Sequence, residues 1–336
     1  VFYLKGEVTM KNLAVLVLSL IISGSAFAWK PTKNITMVVP FPPGSGNDLI
    51  ARSVSESVSR TTGVTIVIEN KAGAGGTVGM MHLNTLPNDG HSVSLASMGG
   101  ITGMDYTLPN FHQNPPYDIG SFSYALKIGF SPVVIIANAD DPVSTPKQLI
   151  DVLTKEKVDV GHSGGGGRLG LESALIAVGA NKNAGLNRVE HRGPAQTAID
   201  VAGKHVRFGA LPLAVAVTFK DANKIKIITH TARDPIKTLP NVQPFSTVVP
   251  GFNATVDWGV VLPKGTPNEV LDWYAVEFNK ALSDEKVQEF FAKNFFFVSD
   301  PALRTPKAFA SWVTEQRKKN APVVNEVVRL IKAEAK

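Results

Sequence analysis

The sequence predicts an α/β protein built from two sheets of mostly parallel strands with helices on both faces. Three observations carry this. Short β-branched runs alternate with amphipathic stretches of helical period. The junctions from strand to helix are rich in glycine and proline. The length, 336 residues, is that of two domains of roughly 100–200 residues each. Strand, helix, strand order gives parallel pairs because a parallel partner can be reached only by a crossover on one face of the sheet.

The first strand is expected over 35–39, an Ile-Thr-Met-Val-Val run, followed by a helix over 48–60 with Asn47 or Asp48 as its cap. A second β-branched run gives a strand at 64–69, then a helix at 77–86. A strand at 92–96 leads into the least patterned stretch, 99–118, where Pro109, Pro115 and Pro116 argue for a long surface loop. Beyond it, strands at 133–137, 158–160, 187–191, 206–210, 225–229 and 258–262 alternate with helices at 146–153, 169–178, 194–202, 267–282 and 306–318. The last helix opens on Pro306, tolerated in a first turn whose N–H groups have no helical partner. Phe295, Phe296 and Phe297 read as a buried strand, and Arg317, Lys318 and Lys319 as a solvated helix face.

Composition narrows the function. The 34 Lys and Arg outnumber the 28 Asp and Glu by a formal charge of +6, yet the basic residues are scattered and never form a run of five, so no nucleic-acid partner is expected. The absence of cysteine removes disulfides, thiolate metal sites and Cys nucleophiles together. The seven histidines contain no H-E-x-x-H motif or i, i+4 pair, and no Walker lysine follows the glycine loops, so neither a metal nor another cofactor is expected.

The N-terminus supplies a compartment. Lys11 precedes the apolar run 13–22, which is too short to span a bilayer, and the stretch ends in Ala26-Phe27-Ala28. Residues 1–28 therefore read as upstream sequence plus a signal peptide cleaved after Ala28, with Met10 as the start, and the mature protein is expected outside the cytoplasmic membrane.

The chemistry is expected at three glycine-rich junctions, because main-chain N–H groups at helix starts stabilise a carboxylate or phosphate. The first runs from Pro40 to Asp48, with Pro42-Pro43-Gly44-Ser45-Gly46-Asn47-Asp48 as its candidate binding residues, and the second from Glu69 to Thr77, with Gly73-Ala74-Gly75-Gly76. The third runs from Gly161 to Gly170, with Ser163-Gly164-Gly165-Gly166 as its candidate binding residues, and contains two enzyme-like patterns. Gly161-His162-Ser163-Gly164-Gly165 satisfies the G-x-S-x-G nucleophile elbow, with Asp221 and His230 following in the order a hydrolase needs. Gly165, Gly167 and Gly170 satisfy G-x-G-x-x-G, with Glu190 twenty residues beyond Gly170. Both patterns are short and easily met in so glycine-rich a run, and export argues against a dinucleotide. From these residues alone, an exported serine hydrolase stays open beside a binding protein.

The opening Trp29-Lys30-Pro31-Thr32-Lys33, then PFPPGSGND, IENKAGAGG, SGGGG, HRGPAQTAI, Trp258-Gly259 with LPKGTP, and Thr305-Pro306-Lys307-Ala308-Phe309 together resemble the tripartite tricarboxylate transporter receptors, also called Bug proteins, across essentially the whole mature chain. The resemblance implies a two-lobed periplasmic-binding-protein fold with two crossover strands near 127–133 and 255–260. Lobe one would be 29–129 plus 257–336, and lobe two 130–256. It implies no enzyme but a monomeric periplasmic receptor that captures a small carboxylate by lobe closure and delivers it to a membrane permease. Carried over by position, the first and second junctions would grip one carboxylate. Ser163 to Gly166 and the turn His191-Arg192-Gly193 would recognise the rest of the solute. The sequence departs from the family pattern at Ser45, Asn47, His191 and Arg207.

Overall fold

The computed structural model describes residues 29–102, 116–163, 166–180, 185–191 and 193–334. In the first sheet, β1 (Ile35–Val39) lies between β2 (Ile66–Asn70) and β3 (Ser92–Ser97), all parallel. The sheet continues through β9 (Thr255–Pro263), antiparallel to β3, to the first part of β4 (Phe122–Asn138), where the two-residue strand β10 (Phe297–Val298) adds on. The second sheet begins on the rest of β4. There β7 (Phe208–Pro212) and β8 (Ile225–His230) flank it antiparallel, and β5 (Val158–Ser163) is parallel to both β7 and β6 (Leu186–His191). The expected parallel pairing thus holds within each set of βαβ units, and the strands that carry the chain between sheets run against it.

Strand β4 is 17 residues long, where the sequence pattern marks only 133–137. The part that pairs with β9 contains Gly129 and Pro132, ordinarily strand breakers, and its register against β9 shifts between Tyr124 and Leu126 and again between Lys127 and Gly129. Bulges of this kind let a strand bend as it changes partners. Residues 122–132 pair with β9, and 133–138 pair with β7 and β8.

The helices are α1 (Gly46–Thr62), α2 (Thr77–Asn84), α3 (Met98–Thr102), α4 (Pro146–Lys155), α5 (Gly166–Ala177), α6 (Pro194–Ala202), α7 (Leu213–Asp221), α8 (Asn268–Leu282), α9 (Glu285–Lys293) and α10 (Pro306–Glu334). The expected loop at 99–118 is corrected at its start: 98–102 is helical, with Met98, Ile101 and Thr102 buried beneath α10. Residues 103–115 of that expectation lie outside the described residues. Phe296 is buried as expected of the triple-Phe segment, although the strand there is reduced to Phe297 and Val298.

The first sheet packs α1 and α8 together on one face, while α2, α3 and α10 share a core on the other through Met80, Leu83, Met98 and Phe309. Tyr274 of α8 is fully buried and its hydroxyl donates to Gly90 O at 2.8 Å, so the one polar atom it brings inside is paired. In the second sheet α4 and α5 cover one face, around Leu149, Leu171 and Phe208, and α6 and α7 the other, around Ala198, Leu213 and Ala216. Each such leucine or phenylalanine side chain contributes roughly 1.5–3 kcal/mol on burial. Among the described residues no helix is long and apolar enough to cross a membrane.

Candidate functional site

The strand registers bring the predicted junctions to one level of the molecule. Ser97, the end of β3, pairs with Trp258 of β9, which in turn pairs with Gly129 of β4. Immediately after Pro132 the second sheet begins, with Val133 paired to Pro212, the end of β7, and Ser163 paired to His191, the ends of β5 and β6. The loops leaving β1, β2 and β3 therefore open where β4 leaves the first sheet, and those leaving β5, β6 and β7 open where it enters the second. Open α/β sheets place ligands at such carboxyl ends.

The first junction is held by its own side chains. Ser45 caps α1, its Oγ accepting from Asp48 N at 3.3 Å, and Pro42 O accepts from Ser45 N at 3.2 Å. The Asp48 carboxylate is buried. It accepts from Gly44 N at 2.9 Å, from Arg52 Nε at 3.0 Å and from Asn70 Nδ2 at 2.9 Å. Burial alone would raise its pKa, but the bonds from Arg52, Gly44 and Asn70 outweigh that and hold the carboxyl below its ordinary value. Asn47 faces the core instead, donating to Leu95 O at 3.3 Å and accepting from Trp258 Nε1 at 3.0 Å. Asp48 and Asn47 thus act through the shape of the loop, tying it to β2, β3 and β9, while Pro42, Pro43 and Gly44 stay exposed.

Asn70 lies in the second junction but is not among its expected binding residues. It ends β2, and its Nδ2 donates to Phe41 O at 3.0 Å as well as to Asp48, clamping the second junction to the first. The second junction then makes four consecutive residues with positive φ: Gly73 at 144°, Ala74 at 45°, Gly75 at 66° and Gly76 at 108°. Only glycine takes this region freely, so Ala74 is a strained position held by its surroundings. At the start of α2, Thr77 Oγ1 is buried with no hydrogen-bond partner among the described residues.

In the second sheet, Ser163 ends β5, Gly166 opens α5, and Gly193 precedes α6 in extended conformation as its N-cap. Gly164, Gly165 and Arg192 lie outside the described residues. The His191 ring is almost fully buried, with Nε2 2.8 Å from Asp200 Oδ2 and Nδ1 3.3 Å from Thr197 Oγ1, so both nitrogens are engaged with α6. Arg207 sits just before β7, at the opposite end of the sheet, paired with Asp141 at 3.0 Å and Glu156 at 2.8 Å.

The enzyme-like patterns acquire structural explanations. Asp221 is the last residue of α7, its side chain 66% exposed and 3.5 Å from Lys220 Nζ. His230 is wholly buried, and burial lowers its pKa to about 4 against a smaller opposing bond from the Ala232 backbone. A solvated carboxylate paired with lysine does not orient a buried imidazole as a triad requires. Gly170 of the G-x-G-x-x-G pattern lets α5 lie on β4, since a Cβ there would stand 2.9 Å from Val133.

A family model described as tripartite tricarboxylate transporter family receptor matches residues 50–328. The chain belongs to this family. A protein from the tcbD-tcbE intergenic region of Pseudomonas sp. strain P51 is 30% identical to this receptor over 268 residues, which is 77% of this chain and 76% of that one. The solved periplasmic binding protein BugD is 28% identical with a TM-score of 0.71, covering 90% of this chain and 98% of its own. MatC from Rhodopseudomonas palustris, solved with bound malate, shares the fold at 22% identity and a TM-score of 0.74, over 89% of this chain and 100% of its own. The two solved structures are two-lobed binding proteins, and the receptor is a solute-binding protein of the same fold, not an enzyme, which leaves the hydrolase reading without support.

Proposed function

We propose that this receptor captures a small carboxylate at the converging junctions and delivers it to the membrane permease of a tripartite tricarboxylate-type transporter. The observation that carries the reading is the pair Gly44 and Gly75. Both have positive φ, at 80° and 66°, and a Cβ on either would meet nothing within 4 Å. Open space lies in front of main chain that the Asp48–Asn70 clamp holds in place. Backbone groups fixed by the fold grip a carboxylate with little ordering cost, and helix starts favour its charge. Side chains at Ser163, His191 and Arg192 then choose among acids.

Lobe one is 29–129 plus 257–336 and lobe two 130–256. A solute touching both favours the closed arrangement by its differential affinity. The receptor works as a monomer in the periplasm after cleavage behind Ala28. The test is a thermal-shift screen of the mature chain against mono-, di- and tricarboxylates, with dicarboxylates such as the malate of MatC tried first, followed by calorimetry. A ligand at one hundred times its Kd stabilises the folded state by about 2.7 kcal/mol. A complete panel without any shift in Tm refutes the reading, and N-terminal sequencing that finds a residue other than Trp29 refutes the cleavage site.

A further inference from the structure

We propose that the receptor has a second small-molecule site, on the opposite face of β9 from the first glycine junction, which takes an anion with an aromatic or aliphatic body. Asp257 and Trp258 are neighbours on β9, and neighbours on a strand point to opposite faces. Trp258 points toward the first junction: it donates to Asn47 and lies 3.8 Å from where a side chain on Gly46 would begin. Asp257 faces the other way, into a cavity of about 880 Å³ that none of the described glycine-junction residues lines. That volume lies within the range of sites that enclose ligands of drug size, roughly 300–1,000 Å³.

The cavity is built from both sheets. Lys127 and Phe130 of β4 and Asp257 of β9 form one part, α3 and α10 another, and Ser173 of α5, the segments 232–238 and 251–255, and Phe297, Asp300 and Leu303 the rest. Its charges are arranged unevenly. The Lys127 ammonium lies 2.6 Å from Asp257 and 4.5 Å from the centre of the Trp312 ring, with its side chain only 8% exposed, so this pair neutralises itself inside the wall. Arg233 is likewise paired with Asp234 at 3.1 Å. Asp300 also lines the cavity, its Oδ1 accepting from Ala302 N at 2.9 Å. Lys237 and Lys319 remain, without an ion pair among the described residues, so the described lining keeps one positive charge in excess; Lys319 donates to Asn253 O at 3.3 Å. Two rim lysines above an interior of Phe130, Trp312 and Ile236 suit an acid whose body is apolar and whose head stays at the rim. A small hydrophilic dicarboxylate of the kind proposed for the glycine junctions would leave that interior wet.

Because its walls come from elements of both sheets, the cavity changes shape whenever the sheets rotate about β4 and β9. Occupancy there and solute binding are then thermodynamically linked, each changing the affinity of the other by the same factor; this clause alone rests on the lobe closure proposed above.

The experiment titrates the full mature chain with anilinonaphthalene sulfonate and with phenylbutyrate, in wild type, Lys237→Glu/Lys319→Glu, Ser173→Trp and Gly75→Val. Rim charge reversal and filling of the α5 wall should each weaken both probes by about tenfold or more, since reversal turns two attractions into repulsions, and Gly75→Val should leave them bound. Retained binding in the first two variants overturns the site. So does loss in Gly75→Val alone, which would move the probes to the glycine junctions, and so does failure of both probes to bind wild type. The carboxylate screen on wild type is read separately, so failure of the solute-binding proposal is not confused with failure of this one.

Discussion

The ring of Phe309 occupies the volume that a side chain on Gly259 would need. Phe309 lies on α10 and Gly259 on β9, and the ring also meets Tyr124 edge-on at 5.6 Å and stacks on Trp312 at 5.9 Å. The Trp-Gly and Thr-Pro-Lys-Ala-Phe segments of the sequence are thus two sides of one contact. Gly259→Ala should destabilise the fold by about 1–3 kcal/mol through overpacking. Urea unfolding of Gly259→Ala, Phe309→Leu and the double variant checks the cause: the cost of the alanine should shrink when the ring is gone, and an unchanged cost would place the strain elsewhere.

Asn70→Ala removes both hydrogen bonds that clamp the two first-sheet junctions. Such bonds contribute about 1 kcal/mol each, and their loss should weaken carboxylate binding by roughly tenfold. Calorimetry with the best ligand from the screen, beside a melt of the free protein, separates binding from folding. A lower Tm with unchanged Kd would show that the clamp serves stability alone.

Gly44→Val and Gly75→Val should weaken every carboxylate tested, because each puts a branched side chain into the open space before the loop. They should also lower stability by about 1–2 kcal/mol, the cost of a side chain at positive φ. His191→Ala should instead alter the order in which acids bind, since it frees Asp200 and Thr197 of α6. Full binding by both glycine variants would remove the main-chain grip, and an unaltered ligand order in His191→Ala would place selectivity on other residues.

The pH dependence of stability should carry the signature of His230. Its folded pKa of about 4 lies below its ordinary 6.5 because burial disfavours the cation. The unfolded chain therefore takes up the proton first. The contribution is complete above about pH 6.5 and is lost as pH falls toward 4, amounting to about 3 kcal/mol over that window. Asp48, with a depressed carboxyl pKa, adds a loss only at lower pH, as pH falls from its unfolded value through the folded one. Denaturant melts between pH 4 and 7 should show the first slope, and His230→Phe should flatten it.

The alternation of short strands and amphipathic helices was legible because burial of one face imposes a period on the chain: β1, β3, α4 and α6 stand within two residues of their expected bounds. Elements with mixed signals were not. The β-branched Leu213–Asp221 stretch is a helix, its conformation set by packing of Leu213 and Ala216 against the second sheet rather than by propensity. Helix α9 carried a readable cap, Asp284, which accepts from Lys286 N and Val287 N, but only Val287 and Phe291 of its nine residues are buried, too few to stand out as a period. At the site, glycine runs announced the loops, whereas the clamping role of Asn70 gave no signal because its partners, Phe41 and Asp48, are far from it in sequence. The same holds for Lys127, Asp257 and Trp312, which three separate segments bring together.

Strand β4 sets the order of assembly. Its second half needs only residues that follow it directly, through β8, to complete the second sheet. Its first half must wait for β9, more than a hundred residues later, before it is flanked by a partner. During synthesis the inner sheet can form as a continuous piece, while β1, β2 and β3 stay an open-edged fragment until the chain returns. An exported chain of this design is exposed to misassembly mainly in that interval, and truncations ahead of Thr255 should leave a soluble second sheet attached to an aggregation-prone first one.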